Sequence, residues 1–117
     1  NSVLTGVDFE FADFSNADLR DSFAYGATSF SASNYSGADL RGVDFVVVNL
    51  EASDFRGANL SGANLKGSEF GGSNLQGAIL SGSDLRGARF DEGALETTVG
   101  VPAFMPEDEF DCGGDDW

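Results

Sequence analysis

The sequence predicts an all-β solenoid, and three observations predict it. Every fifth residue from Leu4 to Leu95 is Leu, Phe or Tyr, with a single one-residue slip between Leu19 and Phe30. Two positions before these central residues the side chain is almost always small, as in Ala38, Ser53, Ala58 and Ser68, and one position before it is usually Asp or Asn. Two positions after, Gly recurs in seven consecutive repeats, from Gly57 to Gly87. A period of five matches neither the helix period of 3.6 nor the strand period of 2, so neither regular element buries these positions on one face. The chain must therefore bend once per repeat, each repeat forming one side of a coil and successive coils stacking at strand spacing. Disordered Gly/Ser-rich sequence would not hold a large apolar residue in phase through so many repeats.

The elements follow in chain order. The first frame supplies Leu4, Phe9, Phe14 and Leu19. At residues 20–26, Arg-Asp-Ser-Phe-Ala-Tyr-Gly, one extra residue must bulge. Either Ala24 continues the old frame or Tyr25 opens the new one, and the second choice puts bulky Phe23 at a small position. The insertion reads as one tolerated in a corner, with an aromatic projected toward a partner as the alternative, since insertions in solenoids map to binding faces. The second frame runs through Phe30, Tyr35, Leu40, Phe45, Leu50, Phe55, Leu60, Leu65, Phe70, Leu75, Leu80, Leu85, Phe90 and Leu95. Gly at the turn reaches backbone angles closed to residues with a Cβ. After Glu96 the period stops, dividing the chain into a solenoid over 1–97 and an acidic C-terminal segment over 98–117. That segment is expected to cap the open end, with Val99, Val101, Phe104, Met105 and Phe110 as covers. Pro106 before Glu107, Asp108 and Glu109 reads as a single helical turn.

The runs Ala-Asp-Leu-Arg-Gly at 38–42, Ala-Asn-Leu-Ser-Gly at 58–62 and Ala-Asn-Leu-Lys-Gly at 63–67 resemble the pentapeptide-repeat family, whose motif is A(D/N)LXX. The resemblance spans residues 2 to about 97. It implies a right-handed quadrilateral β-helix with four repeats per coil, hence about 4.75 coils and a shaft about 23 Å long at strand spacing. Inner residues would then group as 4/9/14/19, 25/30/35/40, 45/50/55/60, 65/70/75/80 and 85/90/95. Function is implied far less, because one fold hosts many activities.

Charge narrows the functional classes. The chain carries a formal net charge of −14, but its distribution is uneven. Residues 1–90 hold eleven acids and six bases, whereas residues 91–117 hold nine acids and no base. Five of the six bases, Arg20, Arg41, Arg56, Lys66 and Arg86, directly follow a central residue, while many acids directly precede one. The shaft is thus laced with opposite charges. Some members of the resembled family mimic DNA and bind DNA gyrase, which requires a long continuous acidic face. The acids that would carry such mimicry are Asp39, Asp44, Asp54, Glu69 and Asp84. With bases beside them, a DNA-mimicking regulator ranks second to a non-enzymatic protein-interaction or structural module. Direct nucleic-acid binding lacks a basic patch.

Catalysis finds little support, and no catalytic, cofactor or metal residue is assigned. The chain has no His, one Cys and one Lys. Carboxylates near Cys112 should raise its pKa and blunt it as a nucleophile. Glu107, Asp108, Glu109, Asp111, Asp115 and Asp116 do not have EF-hand spacing. No apolar stretch reaches membrane-spanning length. The start at Asn1, without Met, reads as a processed protein or a trimmed fragment. The resemblance implies a place among small acidic members of the chloroplast thylakoid lumen, with a bacterial cytoplasmic or periplasmic member as the alternative. The partner expected is a protein, and the state a monomer or weak dimer.

Overall fold

The structure is a computed structural model that describes residues 10–25 and 29–107. Leu4 and Phe9 of the first frame lie outside those residues. Two short strands, β1 (Phe23–Tyr25) and β2 (Asp44–Val46), pair in parallel. Around them, single-residue parallel bridges form four rows. One runs Asp13, Asn34, Asp54, Asn74; a second Asp18, Asp39, Asn59, Ile79, Val99; a third Phe23, Asp44, Asn64, Asp84, Phe104; a fourth Ser29, Asn49, Glu69, Arg89. From Ser29 on, neighbours in a row are twenty residues apart, the length of four five-residue repeats, and before it they are twenty-one apart.

Every rung is built alike. Where a regular coil follows, the N–H of the central residue donates to the carbonyl of the row residue one coil on, as Leu60 to Ile79 at 2.7 Å and Leu40 to Asn59 at 2.7 Å. Each row residue donates backward, as Asn59 to Ala38 at 2.9 Å. The central side chains meet inside. All twelve from Phe30 to Leu85 are buried, and the small residues Ala38, Ala58, Ala63 and Ala78 fill the space beside them. Aromatic rings stack from coil to coil, Phe14 on Tyr35 at 5.2 Å and Tyr35 on Phe55 at 4.8 Å between centroids. Phe70 and Phe90 stack at 4.7 Å.

The slip resolves in favour of Ala24. Register is offset by twenty-one residues from Asp13↔Asn34 through Tyr25↔Val46, and becomes twenty at Ser29↔Asn49. Of the two candidates the sequence leaves open, Ala24, fully buried opposite Phe45, holds the central position rather than Tyr25. The physical reason is size at the preceding position: Ser22 fits the small slot and is buried there, where Phe23 would not.

Turns come in two kinds. Each places its third residue at positive φ. Where that residue is Gly, Asn16 or Asp21, the turn closes on itself, as when Ala63 N–H donates to Leu60 C=O at 3.0 Å. Turns 30–33, 45–48 and 50–53 instead carry Ala32, Val47 and Ala52. Each of these is opened by a serine from the next coil. Val48 N–H donates to Ser68 Oγ at 2.9 Å, and Ser68 Oγ donates to Phe45 C=O at 2.7 Å. Ser73 bridges Ser53 N–H to Leu50 C=O, and Ser53 bridges Ser33 N–H to Phe30 C=O, in the same way. A serine hydroxyl thus replaces the missing turn bond.

The repeat stops at Asp91 for a visible reason. At this corner, backbone carbonyls accept from Ala32 and Ala52, but Gly72 N–H meets the Asp91 carboxylate at 2.9 Å. Gly93 then takes φ +79° and starts a 3-10 helix over Ala94–Thr97, so Leu95 is half-buried rather than a regular rung. The chain returns along two rows. Val99, Val101, Phe104 and Pro106 carbonyls accept from Leu80, Gly82, Leu85 and Gly87 at 2.8–3.0 Å. This corrects the role expected of the apolar side chains here. Val99, Val101 and Phe104 are exposed, Met105 is half-buried, and the covering on these rows is done by backbone. Phe110 and the turn residues Asp108 and Glu109 lie outside the described residues.

Replacing Phe70 by Ala is expected to cost about 3–5 kcal/mol, the usual loss for a large buried aromatic, measured as a shift of the urea midpoint. Ser68→Ala should cost about 1–3 kcal/mol by stranding Val48 N–H and Phe45 C=O. Ser83→Ala is the comparison, because Ser83 N–H still closes its own turn on Leu80 at 3.1 Å. Equal losses for the two serines would refute the bridging role.

Candidate functional site

The outer surface is where recognition must occur, because the interior is filled with side chains. Its polar part is a set of Asp-X-Arg pairs. Arg20 with Asp18, Arg41 with Asp39, Arg56 with Asp54 and Arg86 with Asp84 each close at 2.6–2.8 Å. In every pair the guanidinium also donates through Nε to the same carboxylate, giving a bidentate contact. The five-residue period causes this, since residues flanking a central residue both point outward and lie two apart. Arg20 also approaches Asp39 of the next coil at 3.8 Å, linking two pairs along one row.

These contacts hold the carboxylates below their ordinary range. Hydrogen bonds from Arg20 lower Asp18 to about 2. Those from Arg41 and Arg56 lower Asp39 and Asp54. Burial pushes Asp84 up, but the Arg86 hydrogen bonds outweigh it and leave its pKa lowered. The Asp84–Arg86 pair is the most enclosed, with side chains 18% and 17% exposed, and Phe104 lies over the guanidinium at 4.0 Å. That cation–π contact ties the returning segment to the shaft.

The five acids considered for DNA mimicry do not form a face. Asp54, Asp39 and Glu69 lie on the first, second and fourth rows, and Asp44 and Asp84 share the third. Three of the five are engaged by arginine, and Asp44 accepts from Asn64 Nδ2 at 3.1 Å. Among the described residues, no group of three or more His, Cys, Asp or Glu could hold a metal ion. Cys112 and the acids Asp108, Glu109, Asp111, Asp115 and Asp116 lie outside them. No helix of the described residues is long and apolar enough to cross a membrane.

Apolar exposure marks the corners, which sequence reasoning did not single out. Phe11 is 83% exposed at φ +61°, and Val47 is 56% exposed at φ +57°. A β-branched residue in that conformation is a genuine outlier. Val47 is accommodated because Gly67 lies beneath it, where a Cβ would come within 3.0 Å of its Cγ2. Phe11 sits at one end of a shallow groove of about 750 Å³, which continues past Ala32, Ala52 and Gly72 beside Asp54 and Arg56. The signal that could have found both residues was the absence of Gly at their place in the repeat.

The ion pairs set a pH dependence. Each of these aspartates has a folded pKa below its unfolded value, so its contribution is present above about pH 4 and is lost as pH falls toward the folded value. Urea midpoints should therefore hold above pH 4 and decline between about pH 4 and 2. Asp54→Asn should flatten part of that decline. A midpoint that rises steadily on acidification would contradict it.

Comparison with known proteins places this surface on a known scaffold. The model of the family described as pentapeptide repeats matches eight copies, over residues 1–22, 27–62 and 49–91. A search of curated proteins found no match. Among solved structures, a pentapeptide repeat protein from the thylakoid lumen of Arabidopsis thaliana is 31% identical, covering 87% of this chain and 80% of that one, with a TM-score of 0.52. A pentapeptide repeat protein from Nostoc PCC 7120 gives a TM-score of 0.67 at 23% identity, over 85% and 80% of the two chains. A trypsin-treated form of QnrB1, a plasmid-mediated fluoroquinolone resistance protein, gives 0.51 at 23%, over 75% and 57%. The last two likenesses concern the fold alone. With its five-residue period, its coil-to-coil bridges and the extent of the family match, the chain belongs to the pentapeptide-repeat family.

Proposed function

We propose that this chain is a non-enzymatic protein-interaction module, built as a right-handed, four-sided solenoid of about 4.75 coils over residues 1–97 with an acidic cap over 98–117. One observation carries the reading: Val47 and Phe11 project apolar side chains into solvent from left-handed turn positions where Gly would be strain-free. Such a residue costs about 1–3 kcal/mol in backbone strain. Exposed apolar groups held at that cost are suited to contact with a partner surface. The thylakoid-lumen relative at 31% identity supports a chloroplast lumen setting for that partner. DNA mimicry is disfavoured because the shaft acids are spread over four rows and largely paired.

Val47→Gly is the discriminating variant. It should raise stability by about 1 kcal/mol through release of strain. A photo-crosslinker placed at Val47 should capture a protein from lumen extract far more efficiently than one at Ser61. Equal capture at both positions would sink the interaction reading. The DNA-mimic alternative makes the opposite demand: gyrase supercoiling would be inhibited in a salt-sensitive way, and converting Asp39, Asp44, Asp54, Glu69 and Asp84 to Asn or Gln would abolish the effect. No inhibition is expected.

A further inference from the structure

The groove that runs from Phe11 past Ala32, Ala52 and Gly72 follows the corner between the fourth and first rows. Beyond Phe11 its left-handed positions carry side chains no larger than a methyl group, so a chain laid along them approaches the backbone closely. Three coil spacings of about 4.8 Å make this corner about 14 Å long, the length of about four residues of extended polypeptide. Phe11 closes one end with a ring that stands in solvent. Asn34 and Asn74 line the first-row side, and their Oδ1 atoms accept from Ser36 and Gln76, which leaves each Nδ2 as a donor.

Charge differs between this corner and the one opposite. Four of the six bases, Arg20, Arg41, Lys66 and Arg86, stand on the second and third rows. Carboxylates border the groove instead. Glu10 and Glu51 directly precede Phe11 and Ala52, and both reach one coil onward along the same bank. Ser31 Oγ donates to Glu10 at 2.9 Å, and the Glu51 carboxylate lies over Gly71, 3.4 Å from where a Cβ would stand. Asp13 lines the first-row side, and neither it nor Glu51 makes an ion pair among the described residues. Arg56, the one base of the lining, is held by Asp54. Uncompensated negative charge therefore lies beside an exposed aromatic face.

We propose that this groove docks a basic extended segment of a partner protein, with an arginine stacked on Phe11 and further Arg or Lys side chains directed to Glu51, Asp13 and Glu10. This rests on the interaction reading above and names the chemistry of the partner that reading leaves open. An aromatic face attracts a guanidinium, and a carboxylate holds the same group through two parallel hydrogen bonds. The small-residue floor admits an extended backbone, whose carbonyls accept from the asparagine amides. A second copy of this chain does not meet the charge requirement, because a formal net charge of −14 sets copies to repel.

The test titrates the acetylated, amidated peptide Arg-Leu-Arg-Gly-Arg into the nitrogen-15-labelled full chain. Amide shifts are expected to cluster at Ala32, Ala52 and Gly72, and the same peptide with Glu in place of Arg is expected not to bind. Phe11→Gly should weaken binding several-fold without loss of the fold, since the φ of +61° suits Gly. Glu51→Gln should weaken it to a similar degree. Asp21→Asn removes one charge at the opposite corner and should leave binding nearly unchanged. Shifts spread evenly over the four rows, equal losses for Asp21→Asn and Glu51→Gln, or an absence of saturable binding would overturn the proposal. Shifts gathered on residues 91–107 would also overturn it and move the basic partner to the shaft end. If the crosslinker at Val47 captures its partner while the groove stays silent to the peptide, the interaction reading stands and the groove assignment falls. Equal capture at Val47 and Ser61 defeats that reading alone, because the peptide titration decides the groove by itself.

Discussion

The whole structure depends on one turn per five residues, each with a residue at positive φ, stacked so that turn lies on turn. Because the turn recurs at a fixed interval, the central residue always points inward and its two neighbours always point outward. The core, the bridge rows and the outer charge pairs are three consequences of that one constraint. Hydrogen bonding is then supplied across coils, and each rung is satisfied only when the next coil is in register.

That dependence explains why the exceptions fall where they do. When Val47 or Ala52 occupies the left-handed position, the turn no longer closes, and a serine hydroxyl one coil on restores the bond. When the next coil cannot supply a carbonyl, the Asp91 side chain does so for Gly72, and the regular repeat ends. The returning segment satisfies two further rows with its carbonyls while leaving Val99 and Val101 in solvent. Edge protection in this chain is therefore divided among backbone, a carboxylate and the side chains near the last rung.

Function is shaped by the same geometry. The period that pairs Asp39 with Arg41 and Asp54 with Arg56 neutralises the shaft locally, whatever the net charge of the chain. Exposed pairs of this kind are screened by solvent and add little to stability. Their larger effect is to leave the corners, rather than the rows, as the distinctive surface.

The sequence by itself determined the solenoid, the inward residues from Phe30 to Leu85, the pairing of charges and the family, because all four follow from a local period of five. It left Ala24 and Tyr25 undecided, since the choice rests on which frame pairs with Phe45 one coil away. It also could not show that Ser68 opens the turn at Val47, that Val47 lies over Gly67, or that Asp91 ends the ladder at Gly72. Each of those contacts joins residues about twenty positions apart, and only the stacking of coils brings them together.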